Sequence, residues 1–303
     1  MNMGYLRPLR LAVAIVAIAF PAAACGDDGN GATSTRSSSS SFGQPLKDAE
    51  VYPVLASSEV VVGRNRLVFG LLDGNDAPIG SPRIDVGVRF FDLSSDEPEP
   101  AGGSDTRFVW SVEGERGVYV TDTSFEHEGQ WGAEVTIRGD EVDETVRISF
   151  DVAARPQSVP VGEVPPPSDT PTVDEVTKLS EITTDPHPDP AFYRLSIAEA
   201  LEAKRPFVAV FATPEFCSSA VCGPTLDIVQ TVADDFPDVN FIHVEVFENL
   251  DDPSNLKPVQ AVREWGLPSE PWVFVVGADD KVTAKYEGVV GAGELRDHLS
   301  TLR

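Results

Sequence analysis

Apolar and polar residues alternate in short segments between residues 48 and 155, and Gly, Asn, Asp and Pro residues separate the segments. Alternation with a period of two places one face of a β-strand against a core and leaves the other in solvent. The pattern predicts six strands: Arg66–Asp73, Ile84–Asp92, Arg107–Val112, Gly117–Phe125, Trp131–Arg138 and Thr145–Val152. Strands of this length and spacing indicate an all-β sandwich over residues 48–155.

The pattern changes between residues 174 and 303, where apolar runs are continuous and alternate with helix-like segments. A continuous apolar run is typical of a strand buried on both faces of a sheet. The predicted strands are Phe207–Ala212, Asn240–Phe247, Trp272–Val276 and Val282–Tyr286. Helices are predicted at Ile197–Lys204, from Cys222 onward, at Leu256–Trp265 and at Gly291–Leu302. This order predicts a second, α/β domain.

Residues 156–173 separate the two predicted domains and are rich in proline without any apolar period. Such a composition is typical of a stiff, extended connector. We therefore predict a Pro-rich linker at residues 156–173.

The first 24 residues have the layout of a secretory signal. Arg7 and Arg10 precede an apolar run, Leu11–Phe20, and small residues lead to Cys25. The run is about half of the ~20 residues that a membrane-spanning helix needs. The ending Ala-Ala-Ala-Cys resembles the lipobox of bacterial lipoproteins, although Ala22 stands where Leu is commonest. The resemblance implies lipidation of Cys25 after removal of residues 1–24. The alternative is a soluble secreted protein that is cut after Ala24.

Residues 25–47 are rich in Gly, Ser, Thr and Asp, which predicts a flexible tether between a lipid anchor and the folded part. The formal net charge of the whole chain is −26. A surface this acidic disfavours nucleic acid as a partner. The expected localisation is the extracytoplasmic face of the cell membrane, with the membrane itself as a partner through the lipid.

The segment from Gly117 to Trp131 resembles the late strands of YtkA-like and related immunoglobulin-like domains of bacterial envelope proteins. Some relatives are associated with metal handling. The region has one histidine, His127, and neither Cys nor Met, so we predict no metal site there. The resemblance implies a binding or spacer module of immunoglobulin-like type.

The α/β region resembles the thioredoxin fold. The residues that carry the resemblance are Phe211–Cys217, the Cys222-Gly223-Pro224 that opens a helix, and Pro271 before a strand. In thioredoxins a cis-proline precedes the third strand and faces the cysteines, and Pro271 matches it. The resemblance implies catalytic roles for Cys217, Cys222 and Pro271 in thiol–disulfide exchange, without a cofactor or metal. The implied partners are envelope proteins that carry thiols or disulfides.

The spacing of the cysteines departs from the family, because four residues separate Cys217 from Cys222 where thioredoxins have two. A helix that begins near Pro224 would give Cys222 the closer place to the helix N-terminus, which stabilises a thiolate. Cys217 matches the family's nucleophile by its place after the strand. We choose Cys217 from the resemblance, and the order of attack stays open.

Three other functions compete for the same cysteines. A passive structural disulfide would close a six-residue loop and contribute only ~2 kcal/mol by loop entropy. Some peroxiredoxins of the Q type also have four residues between their cysteines, and they resemble the chain at Thr213-Pro214. Sco-type copper chaperones use two cysteines and a histidine, for which His243 is the candidate. The sequence thus predicts a two-domain lipoprotein, immunoglobulin-like and then thioredoxin-like, whose enzymatic activity is left open.

Overall fold

The computed structural model describes residues 42, 49–95, 97–139 and 141–302. Cys25 and the predicted signal lie outside the described residues. Within the described part, no helix is both long and apolar enough to cross a bilayer. The first eight strands are β1 (Val51–Leu55), β2 (Gly63–Asp73), β3 (Asp85–Asp92), β4 (Pro100–Asp105), β5 (Arg107–Val112), β6 (Arg116–Phe125), β7 (Gly129–Arg138) and β8 (Asp143–Val152).

These eight strands form two antiparallel four-stranded sheets, in the orders β1-β2-β6-β5 and β4-β3-β7-β8. Their inward residues pack into one apolar cluster around Phe69, Phe90 and Phe125, each at most 2 % exposed. The alternation in the sequence produces this arrangement, because every second side chain points to the core. The six predicted strands are confirmed, and the β-rich, immunoglobulin-like type of fold is seen.

The remaining strands are β9 (Phe207–Ala212), β10 (Asn240–Glu245), β11 (Phe247–Glu248), β12 (Lys257–Pro258), β13 (Trp272–Val276) and β14 (Val282–Glu287). The helices are α1 (Ile197–Glu202), α2 (Cys222–Ala233), α3 (Gln260–Glu264) and α4 (Ala292–Ser300). Four strands form a sheet in the order β10-β9-β13-β14, with β10 parallel to β9 and β13 antiparallel to it. Strands β9 and β13 are buried along their whole length, because apolar side chains cover both faces of the sheet.

The predicted fold class, an all-β sandwich followed by an α/β thioredoxin-like domain, is wrong in its second half. The described residues are mostly β structure, with fourteen strands in four sheets, and they contain no clear α/β thioredoxin-like domain. Three of the four α-helices have nine residues or fewer. The helix predicted over Leu256–Trp265 shows the reason. Pro258 disfavours helical backbone at the preceding Lys257, so this stretch begins as β12 and leaves only the five-residue α3.

The segment predicted as a linker is fastened to the second half of the chain. The Gly162 amide donates to the carbonyl of Val282 at 2.8 Å, and the Val282 amide donates to Glu163 at 2.9 Å. Gly266 lies at φ +65°, where a Cβ would clash with the carbonyl of Gln157. Residues 156–173 therefore brace the fold through backbone contacts.

A largely buried ion-pair cluster joins the sandwich to α4. The Glu294 carboxylate accepts hydrogen bonds from Arg66 Nε at 2.8 Å and Nη2 at 2.9 Å, and it also pairs with Arg107. Burial would raise the pKa of Glu294, but the two guanidinium groups outweigh it and hold that pKa below its usual value. The cluster locks β2 and β5 to the start of α4.

Glu294→Ala should lower the free energy of unfolding by about 2 kcal/mol, because it leaves the buried Arg66 charge without its partner. Chemical denaturation of the full chain measures this. Asp122→Ala is the matched control, since Asp122 pairs with Arg107 at an exposed site and should cost less than about 1 kcal/mol. Equal losses in the two variants would contradict the role given to Glu294.

Candidate functional site

Cys217 and Cys222 are joined in a disulfide between the end of β9 and the start of α2, with their Cα atoms 6.0 Å apart. The two cysteines differ in their exposure to solvent. Cys222 is the first residue of α2 and is fully buried in the apolar cluster beneath the helix. Cys217 is only partly buried and lies in a loop that also contains the exposed Ser218 and Ser219. An incoming thiol would therefore meet Cys217 first.

The start of α2 would stabilise a thiolate on Cys217 once the disulfide is opened. The Cys222 backbone amide points at Cys217 Sγ from 3.3 Å, and the Ser219 hydroxyl lies 3.3 Å from the same sulfur. Amides in the first turn of a helix carry the positive end of its dipole, which lowers the pKa of a nearby thiol. Solvent exposure and the nearby helix amide both distinguish Cys217 from the buried Cys222.

Pro271 lies immediately before β13. The Glu270–Pro271 peptide bond is cis, as the resemblance implies, and the Pro271 carbonyl accepts a hydrogen bond from the Gly288 amide at 2.8 Å. Residues just before Pro271 and residues between the cysteines line the same cavity of about 420 Å³. The structure therefore places the loop between the cysteines and the segment that ends at Glu270 around one cavity.

His243 is fully buried on β10, below the end of β9. Its Nε2 lies 3.1 Å from the Ala212 carbonyl, which can only accept, so this nitrogen carries the proton. Its Nδ1 then accepts from the Tyr193 hydroxyl at 2.6 Å. Burial lowers the pKa of His243 to about 4, so the imidazole is neutral. Both nitrogens are engaged, which leaves no lone pair for the copper role considered from sequence.

Glu245 positions the chain that leads into Cys217. Its buried carboxylate accepts from the Thr184 amide at 2.8 Å and from the Thr184 hydroxyl at 2.6 Å. The same hydroxyl accepts from the Glu215 amide at 3.2 Å, two residues before the cysteine. Burial raises the pKa of Glu245, because it penalises the charged form more than these hydrogen bonds favour it. Glu245 thus holds the cysteine loop through Thr184.

Sequence reasoning did not find Thr184, Tyr193 or the part that Glu245 has in positioning the loop. Thr184 is 61 positions from Glu245, and no local period connects them. His127, the lone histidine of the sandwich, pairs with Asp92 on the surface. No group of three or more His, Cys, Asp or Glu residues with metal-binding geometry occurs in the described part of the chain.

Neither a protein-family model nor a curated protein matches the sequence. Among solved structures, the chain is similar to a DUF4426 family protein from Pseudomonas aeruginosa, at 10% identity and a TM-score of 0.24, over 35% of this chain and 90% of that one. A copper-bound variant of FetP from uropathogenic Escherichia coli is 10% identical, with a TM-score of 0.23, over 36% and 92% of the two chains.

The Lin-41 filamin domain is 15% identical, with a TM-score of 0.18, over 33% of this chain and 91% of that domain. Likenesses this weak carry no argument about function.

Proposed function

We propose that this protein exchanges thiols and disulfides with other proteins through Cys217 and Cys222. The observation that carries the proposal is the asymmetry of the pair. Cys217 is accessible and receives a helix amide, whereas Cys222 is buried directly behind it. Exchange needs one sulfur that a partner reaches and a second that resolves the mixed disulfide. This arrangement supplies both.

The exchange begins when a partner thiolate attacks Cys217 Sγ. A bond forms between the partner's sulfur and Cys217, the Cys217–Cys222 bond breaks, and Cys222 leaves as a thiolate. A second partner thiolate then attacks the partner's own sulfur in the mixed disulfide and releases Cys217. The partner loses two electrons and gains a disulfide, while Cys217 and Cys222 take up the two electrons and two protons. The reverse sequence reduces a partner disulfide.

Catalysis of insulin reduction by dithiothreitol tests the proposal. The full chain should accelerate the precipitation of reduced insulin, because the Cys217–Cys222 dithiol is regenerated after each exchange. Mass spectrometry after alkylation shows in the same sample whether dithiothreitol has opened the disulfide. An opened disulfide without any acceleration would overturn the proposal.

A passive crosslink is the second candidate, and the complete burial of Cys222 favours it. A disulfide of this kind would tie the start of α2 to the end of β9 without turnover. It would contribute only ~2 kcal/mol, because the loop it closes is short. The insulin experiment separates the two candidates, since a passive crosslink predicts no acceleration.

We also propose that the chain is a lipoprotein anchored through Cys25 at the extracytoplasmic face of the membrane. The support is the order of basic residues, apolar run and small residues that ends at Cys25. The acyl chains would hold the protein at the membrane. In that compartment a disulfide such as Cys217–Cys222 persists, and partner proteins carry thiols and disulfides.

Cys25→Ala should abolish incorporation of labelled palmitate when the full chain is expressed in a bacterial host. The protein should also move from the detergent phase to the aqueous phase in a partition experiment. Cys217→Ala is the matched control, because it removes a cysteine outside the predicted lipobox and should leave the labelling intact. Equal labelling of the Cys25→Ala protein would contradict the anchor.

A further inference from the structure

A cavity of about 420 Å³ opens between the β-sandwich and the cysteine loop. The sandwich contributes Ala56, Ser58 and Val118 to its wall, and the opposite wall includes Ser219 and Val221 from between the cysteines. The segment that ends at Glu270 forms a third side. This volume lies within the usual range for a binding pocket. The sandwich thus contributes directly to the surroundings of the disulfide.

Polar contacts fix the walls of the cavity relative to one another. The Glu287 carboxylate accepts from the Ser58 amide at 2.8 Å and from the Ser269 hydroxyl at 2.8 Å. Arg66 of β2 donates to the Val289 carbonyl at 2.8 Å. These contacts join the sandwich to both chain segments beside the cysteine loop. The cavity is therefore present before any ligand binds, which lowers the entropic penalty of binding.

Glu270 is an acidic side chain of the cavity whose negative charge no neighbouring group stabilises within the described residues. It is half-buried, and within the described residues it has neither a hydrogen bond nor an ion pair. Burial raises its pKa for this reason. Glu287, in contrast, accepts hydrogen bonds from the Ser58 amide, the Ser269 hydroxyl and the Glu59 amide. A cationic group in the cavity would offset the desolvation of Glu270, whereas an anionic group would add repulsion.

We propose that this cavity binds an extended segment of the partner protein in which a Lys or Arg lies close to the exchanging cysteine. The apolar walls cover the stem of the basic side chain, and Glu270 pairs with its charge. The sandwich then selects the substrate of the exchange reaction at the neighbouring disulfide. This inference rests on the proposed exchange through Cys217.

The test measures how fast single-cysteine peptides open the Cys217–Cys222 disulfide of the full chain. Three peptides differ only in the residues beside the cysteine, which are Lys, Gln or Glu, and dithiothreitol is the small-molecule reference. At low salt the Lys peptide should react roughly tenfold faster than the Glu peptide, with the Gln peptide between them. The rates are corrected for the thiolate fraction of each peptide, because neighbouring charges shift a thiol's pKa.

Two variants distinguish an effect of the cavity on these rates from an effect of the net charge of the chain. Glu270→Gln should remove most of the difference between the Lys and Glu peptides. Ala56→Trp should fill the cavity and slow all three peptides relative to dithiothreitol, because Ala56 is exposed and lines it. Val54→Trp is the matched control, since Val54 is 40% exposed on β1 outside the cavity and should leave every rate unchanged.

The outcomes distinguish this inference from the proposed function. A disulfide that neither dithiothreitol nor any peptide opens would refute the exchange itself. Ready opening with equal corrected rates for the three peptides would refute the cavity as a subsite for basic segments and leave exchange intact. A preference for the Lys peptide that survives Glu270→Gln would likewise overturn it, because the net charge of the chain would then suffice.

Discussion

Cys222→Ser is expected to capture partner proteins as stable mixed disulfides, whereas Cys217→Ser is expected to capture none. The reason is the asymmetry of the site, in which Cys217 is accessible and Cys222 is buried behind it. Without Cys222, an intermediate formed on Cys217 has no internal thiol to resolve it. Both variants should lose insulin-reduction activity entirely. Non-reducing electrophoresis followed by reduction of the captured bands measures the difference.

Each variant has one cysteine of the pair, so the two are matched for the loss of the disulfide and its stability. Equal capture by both variants would contradict the assignment of Cys217 as the reacting sulfur. Capture by Cys217→Ser alone would reverse the roles, and Cys222 would then have to become exposed during turnover. Absence of capture in both variants would favour the passive crosslink.

Acidification from pH 6.5 to pH 4 is expected to destabilise the protein through His243 by about 3 kcal/mol. Burial lowers the pKa of His243 to about 4 in the folded chain, from an ordinary value of 6.5. The unfolded chain therefore binds the proton first as the pH falls. Stability from this group is complete above pH 6.5 and decreases down to the folded pKa. Urea denaturation over a pH series measures how the free energy of unfolding changes with pH.

His243→Gln removes the titrating ring, and its stability should vary less between pH 6.5 and pH 4 than that of the unmodified protein. Tyr193→Phe is the matched control, because it removes the hydrogen bond to Nδ1 and retains the imidazole. The Tyr193→Phe variant should retain most of the dependence of stability on pH. Parallel pH profiles for the unmodified protein and His243→Gln would contradict the buried, neutral state of His243.

The sequence predicts the strands well where burial is uniform or strictly alternating. The bounds of β5, β9 and β13 match the predictions, since their apolar patterns end abruptly at turn residues. Strands β1 and β4 were missed for local reasons. Strand β1 contains Pro53, and β4 has almost no apolar residue because it lies exposed at the edge of its sheet.

The disulfide was also predictable, because an isolated Cys217 and Cys222 in a chain with a predicted secretory signal suggest one. The contacts that surround the pair could not be predicted from the sequence. The hydrogen bonds from Glu245 to Thr184 and from Ser58 to Glu287 join residues that are 61 and 229 positions apart. Such contacts depend on how the sheets pack, which no local period reports. The thioredoxin-like domain was wrongly predicted for a related reason, since local patterns gave the strands but overestimated the helices.

The reduction potential of the Cys217–Cys222 pair tests the central claim most directly. Equilibration of the full chain with glutathione buffers, followed by alkylation and mass spectrometry, gives the fraction of disulfide at each ratio. An exchange-active pair predicts a potential within the range of known oxidoreductases, about −270 to −120 mV. A potential below about −300 mV would contradict the account and identify Cys217–Cys222 as a structural crosslink.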